Sequence, residues 1–251
     1  MSSPSAPRQK MIVVGKTGSG KSTLCNMLVQ GDLYTNNVRK VSDSAAGVSY
    51  DVEVVKGRHW TACDTVGLGE LYSQGPGMVG PAMQLLVRVL KEGEHGFHYI
   101  AFVVQKGRLS TQENAELFKL FKATFDGAER NFVLVITHCH SESWITKNRH
   151  TIKEVYGDIP VVHCDFPFNS DTVSQGQHGR TNSLNDLERQ LKAIPRWPVV
   201  PTLSMAMPPN PTPEQTQARE EATKKFSISL GTFLQVGWSI IHAVLFFLPL
   251  I

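Results

Sequence analysis

The chemistry of this chain concentrates in Gly15-Lys16-Thr17-Gly18-Ser19-Gly20-Lys21-Ser22, a match to G-x-x-x-x-G-K-[ST]. Glycines at 15, 18 and 20 let the backbone curl until its N–H groups converge, and the positive end of a following helix adds its dipole. Such a cradle suits a phosphate. Lys21 would reach the β- and γ-phosphates of a nucleotide, and the Ser22 hydroxyl would ligate Mg²⁺, with Thr23 beside it. A second group, Asp64-Thr65-Val66-Gly67, offers a carboxylate for Mg²⁺ and, at Gly67, a backbone N–H for the γ-phosphate. Together with the loop it favours a GTPase-like switch over a kinase or a metabolic ATPase. A third group, Thr137-His138-Cys139-His140, falls where the nucleotide base should lie. N/T-K-x-D is usual there, its aspartate accepting two guanine N–H donors, but no aspartate stands at that place. The plainer reading of His138 and His140 is a pair of exposed loop histidines.

These groups need strands to end at them and helices to start from them. Apolar runs predict strands over Met11–Val14, Tyr50–Val55, His59–Cys63, Tyr99–Val104, Phe132–Ile136 and Val161–Cys164. Helical spacing predicts Lys21–Val29, Pro81–Lys91, Thr111–Phe125, Lys147–Tyr156 and Leu184–Ile194. Ser110 with Glu113 reads as a capping box, and Leu117, Leu120, Phe121 and Phe125 as the inner stripe of the helix that follows. The alternation implies a three-layer α/β domain with a mainly parallel sheet and its site at the carboxyl ends of the strands. The hydrophobic fraction of 41% supplies a normal core, and a net charge of +3 without basic clusters argues against nucleic acid. Cys25, Cys63, Cys139 and Cys164 lack metal-ligand spacing and read as buried free thiols. MSSPSAPRQK has no apolar run of the signal-peptide kind and reads as a disordered leader over 1–9. The G domain is expected over 10–197 and a Pro-rich linker with a polar segment over 198–226.

At this point the residues resemble a family. The phosphate loop, DTVGL at 64–68, QKGRLSTQE at 105–113, ITHCHSES at 136–143 and FNS at 168–170 together look like the AIG/GIMAP-type GTPases, relatives of the chloroplast-import GTPases in the septin-like branch. The resemblance implies GTP and GDP as ligands with Mg²⁺, held through Ser22 and Asp64. By the same resemblance His138 corresponds to the basic residue that packs on guanine and Asn169 to a base-contacting asparagine, with Glu142 a candidate for the missing carboxylate.

The switch between Lys21 and Asp64 has no threonine at the usual spacing. Ser42 and Ser44 stand there, with Ser44 the choice for the nucleotide, while Thr35 comes too early. After Gly67 comes Leu68, where Ras-type enzymes carry the glutamine that orients the attacking water. Leucine can neither donate to that water nor accept from it. Hydrolysis must then draw on a residue elsewhere or on a partner across a dimer; Arg108 is a candidate by position, a structural salt bridge being its other reading. The resemblance implies slow hydrolysis with self-association, as a homodimer or oligomer, in the GTP state. The alternatives are a GTP-gated scaffold with negligible hydrolysis and an ATP-dependent P-loop enzyme.

From Phe226 to Ile251 there is no Asp, Glu, Lys or Arg. As a helix, Ser227–Ile251 would span about 37 Å, against a hydrocarbon core of about 30 Å. Lys224 and Lys225 stand just before it, on the side that would stay cytosolic. The expectation is a C-terminal transmembrane tail anchor at 227–251, holding the domain on the cytosolic face of an intracellular membrane. Ser229, Thr232, Gln235, Ser239 and His242 trace one face of that helix, a seam that could pair with a second helix.

Overall fold

A computed structural model describes residues 8–31, 51–66, 96–167, 173–194, 197–199 and 202–203. Its order is β1 (Gln9–Val14), α1 (Lys21–Gln30), β2 (Asp51–Lys56), β3 (Trp60–Val66), β4 (Tyr99–Gln105), α2 (Gln112–Thr124), β5 (Phe125–Asp126), β6 (Phe132–Thr137), α3 (Glu142–Lys147), α4 (Arg149–Tyr156), β7 (Val161–His163), α5 (Val173–Lys192) and β8 (Thr202–Leu203). A single 3₁₀ turn, Glu129–Asn131, leads into β6.

The main sheet runs β2-β3-β1-β4-β6-β7, parallel throughout except for β2, which returns antiparallel along β3. Period-two alternation of the central strands builds the layers. Ile12, Val14, Ile100, Phe102, Leu134 and Ile136 face Phe118, Phe121, Ile152 and Tyr156 from α2 and α4. Met11, Val13, Ala101, Val103, Val133 and Val135 face Leu24, Leu28, Leu187 and Leu191 from α1 and α5. Strands buried on both faces read as unbroken apolar runs, which is why β1, β4 and β6 are plain in the sequence. The chain steps from β1 to β3 on one side and then to β4 on the other. Such a reversal opens a crevice at the carboxyl end of β1.

Several expectations shift. The cap of α2 is Thr111 rather than Ser110: its Oγ1 accepts from Asn114 N at 3.4 Å, and Glu113 pairs with Lys16 instead of closing a capping box. The inner stripe holds at Phe121 and Phe125 and takes in Phe118 and Thr124, while Leu117 and Leu120 are half-buried on the flank. The helix expected over 147–156 is preceded by α3 and separated from it at Asn148. α5 begins well before Leu184, because its Gln-, His- and Gly-rich first half has no apolar periodicity to reveal it. The four cysteines are buried and free, as expected. Among the described residues no helix is long and apolar enough to cross a membrane. Pro81–Lys91 and the expected anchor at 227–251 lie outside the described residues.

Of the stretch expected as linker from 198 onward, the described residues 198–199 and 202–203 form a strap docked on the domain. Val199 exchanges both backbone hydrogen bonds with Phe97, at 2.8 and 2.9 Å. β8 then pairs antiparallel with β5, Phe125 against Leu203 and Asp126 against Thr202. Gly96, at φ +79, lies so close to the strap that a Cβ there would meet the Val199 backbone at 2.8 Å. Buried Asn131 fastens this crossing, its Nδ2 lying 3.2, 3.0 and 2.9 Å from the carbonyl oxygens of Phe97, His98 and Trp197. Nothing in a Pro-rich stretch announces such a partner. Asn131→Ala should cost about 1–3 kcal/mol in urea unfolding and raise amide exchange at Val199; unchanged exchange would show that the strap holds without it.

His98 sits at the same pole, its Nδ1 accepting from Lys10 N at 3.0 Å. Burial, and then the charge of Lys10, lower its pKa. The unfolded chain therefore takes up this proton first, so the stabilisation is present above the unfolded value and lost as pH falls below it. Unfolding free energy should decline as pH falls through and below about 6.5, with a shallower slope in His98→Asn.

Candidate functional site

The carboxyl ends of β1, β3, β4 and β6 carry the predicted site. Gly15 leaves β1 at φ +142, where an added Cβ would meet Val103 O at 2.5 Å. Gly20 takes φ +94 and packs its backbone against Thr137, an added Cβ meeting Thr137 Cγ2 at 3.1 Å. α1 then starts with no side-chain cap and no acidic residue in its first turn. A helix end without such a cap suits an anion. Lys21 is buried and folds back over the loop, donating from Nζ to Lys16 O at 2.9 Å. Lys16, Thr17 and Gly18 are exposed at the tip, whereas Ser19 is buried. The Lys16 side chain turns outward and pairs with Glu113 in the first turn of α2, so the loop gains only main-chain groups from it. That ion pair joins QKGRLSTQE to the phosphate loop.

On the other side, β1 and β3 pair with Val13 opposite Asp64. Asp64 is fully buried, and the Ser22 hydroxyl donates to its Oδ2 at 2.6 Å. A hydroxyl and a carboxylate in contact beside a phosphate cradle are the oxygen donors that Mg²⁺ takes, so the residues present fit that ion. Thr65 locks the register by donating from Oγ1 to Val13 O at 2.7 Å. Thr23 follows Ser22 on α1 and is half-buried.

The base end is built from the loops after β6 and β7. His138 is exposed and takes φ +54, a left-handed conformation uncommon for a residue with a side chain, with Nδ1 3.3 Å from Thr137 Oγ1. Cys139 N donates to Cys164 O at 3.0 Å and His163 Nδ1 lies 3.0 Å from Cys139 O, so the two loops move as one piece. His140 pairs with Asp165 at 3.0 Å. The carboxylate gathered here is therefore Asp165. Glu142, the sequence candidate, opens α3 and lines a groove with Arg149, Asp186 and Arg189 instead. Arg108 is exposed on the loop after β4, and among the described residues no ion pair or hydrogen bond holds its side chain. The structural salt bridge weighed for it is thus not formed there. Ser44, Gly67 and Asn169, with Ser42 and Leu68, lie outside the described residues.

Thr137 was missed as a site residue. It is buried, and its Oγ1 donates to Ser19 O at 2.7 Å, tying the end of β6 to the phosphate loop. The signal was its place at the head of the N/T-K-x-D position. Thr137→Val keeps the packing against Gly20 and deletes the bond. It should cost about 1–3 kcal/mol of stability and weaken nucleotide binding in a fluorescent-nucleotide titration; an unchanged affinity would show that the loop holds its shape alone.

Residues 9–152 match the AIG1 family. Immune-associated nucleotide-binding protein 9 of Arabidopsis thaliana is 27% identical over 156 residues, covering 62% of this chain and 44% of that protein. The chain thus spans less than half the length of that relative. A bacterial selenocysteine-specific elongation factor, EF-Sec, aligns at 13% identity and a TM-score of 0.42, over 75% of this chain and 29% of the other. A probable GTP-binding protein, engB, aligns at 12% identity and a TM-score of 0.46, over 74% and 97%. The family match takes in more than half of the chain, including the phosphate loop, Asp64 and the Thr137–His140 corner: the chain belongs to the AIG1 family.

Proposed function

We propose that this chain is a membrane-tethered GTP switch that hydrolyses GTP slowly on its own and self-associates in the GTP state. The observation that carries this reading is a formed phosphate loop with the Ser22–Asp64 pair beside it, in a sequence without a water-orienting side chain after Gly67. Lys21 and the Ser22–Asp64 pair are set, while Leu68 stands at the place of the glutamine. Mg²⁺, held through Ser22 and Asp64, would neutralise charge on the β- and γ-phosphates. The chain's own part is to hold those phosphates on backbone N–H groups and Lys21, with His138 exposed toward the base. Arg108 supports self-association. It stands exposed on the rim of the site, where it can reach a second copy's nucleotide as an arginine finger does. The uncharged stretch from Phe226 to Ile251 supports the tether, on the cytosolic face of an intracellular membrane.

Leu68 also favours a second reading, a GTP-gated scaffold that recruits partners without turnover. Single-turnover GTP hydrolysis followed against protein concentration separates the two. The switch predicts a rate that climbs as the protein self-associates and drops about 10³-fold or more in Arg108→Ala at the high-concentration plateau. A rate near background at every concentration would leave the scaffold, and rapid turnover by a dilute monomer would contradict both.

A further inference from the structure

The pole opposite the nucleotide loops carries features that nucleotide binding does not use. The parallel strands all begin there, and so does the turn between β2 and β3. Trp197 is 89% exposed, the one large apolar side chain left so among the described residues. Its exposure is built rather than accidental. Asn131 grips the Trp197 carbonyl, and Val199 is paired with Phe97, so the main chain on its far side is fixed while the indole projects outward. The same pole presents Arg8, Lys56, Arg58 and Arg130, all exposed, with Arg8 tied to the β2–β3 turn through Gly57 O at 2.6 Å. Glu129 and Asp158 are exposed carboxylates at this pole; Glu129 Oε1 accepts from Gly127 N, and Asp158 pairs with Lys153 at 3.7 Å. Beyond Leu203, the strap's end at this pole, the sequence runs on to the uncharged segment starting at Phe226.

We propose that this pole is a docking face for an anionic bilayer surface, with Trp197 entering the headgroup layer and the arginines and lysine facing its phosphates and carboxylates. The inference deepens the tethered-switch reading and rests on it. An indole is amphipathic and concentrates at the membrane–water interface, and basic side chains are drawn to anionic lipid within a Debye length. A Pro-rich linker alone would leave the domain free to tumble on its tether. The strap instead brings the chain out on the basic, tryptophan-bearing side. A domain docked in this way stands with Gly15–Ser22 and Arg108 pointing away from the bilayer, where another copy can meet them.

The test uses the full chain in vesicles of phosphatidylcholine alone or rich in phosphatidylserine, doped with headgroup-region nitroxide lipid. Tryptophan quenching is compared between the native chain and Trp197→Phe; the difference is the share of Trp197, while Trp238 reports the tether in both. Docking predicts that the Trp197 share is quenched on phosphatidylserine-rich vesicles. It should fall several-fold on neutral vesicles, at high salt, and in Arg58→Glu with Arg130→Glu. The milder Arg58→Gln with Arg130→Gln covers any loss of folding, checked by near-ultraviolet circular dichroism. Quenching of Trp238 with none of Trp197 on the anionic vesicles would overturn the docking face and leave the tether standing. Quenching of Trp197 on anionic vesicles with no binding to neutral ones would uphold the face and remove the tether. No binding to either would remove both.

Discussion

One register decides this structure: Val13 of β1 lies opposite Asp64 of β3. From it follow the contact between the Ser22 hydroxyl and the Asp64 carboxylate and the Thr65 bond to Val13 O. Side chains alternate faces along a strand, so a slip of one residue would carry Asp64 to the opposite face and leave Ser22 without it. The two strands cannot be joined by a hairpin in this orientation, since parallel neighbours need a crossover. α1, which begins at the end of the phosphate loop, belongs to that crossover. The same geometry therefore sets both the layer that α1 covers and the helix end that faces the phosphate.

The loop is held from three sides by bonds of unequal weight. Thr137 reaches it through a buried hydrogen bond, and Gly15 lies against Val103 too closely for any Cβ. The Lys16–Glu113 pair is exposed on both partners, and such pairs contribute about 0–1 kcal/mol. It does little for stability and much for position, since it links the start of α2 to the loop tip. At the base end the constraint is conformational. His138 occupies left-handed backbone between a strand that cannot shift and a loop bonded to Cys164. Backbone strain of that sort persists where surrounding structure fixes it, and here it projects an imidazole into the place where N-K-x-D would put a lysine.

Much of the fold could be read in the sequence because β1, β4 and β6 are buried on both faces and interrupted by glycine or polar turns. The phosphate loop was legible for the same reason, its residue types being dictated by backbone geometry. What escaped depends on distant partners. Thr137 looks like the last residue of a strand until Ser19 is brought to it. Asp165 looks like a loop residue until His140 turns toward it, and Glu142 looks like a partner of that corner until α3 sets it beside the groove with Arg189. The strap escaped because a proline-rich stretch has no periodicity, and Gly96 and Asn131, which receive it, lie far away in sequence. The first half of α5 escaped because Gly176 and Gly179 mask it.

The phosphate half of this site is shared by ATP and GTP proteins, so the weight of the functional reading falls on the base corner, where Thr137-His138-Cys139-His140 stands at the place of N/T-K-x-D and His140 meets Asp165. Phosphate contacts cannot distinguish guanine from adenine; hydrogen bonds and stacking at that corner must. The measurement that addresses this most directly is the affinity of the full chain for GDP against ADP, in Mg²⁺, by calorimetric titration. GDP should bind at least about tenfold more tightly, and His138→Ala should narrow the gap without abolishing binding of either nucleotide. Equal affinities, or a preference for ADP, would contradict the guanine-nucleotide switch.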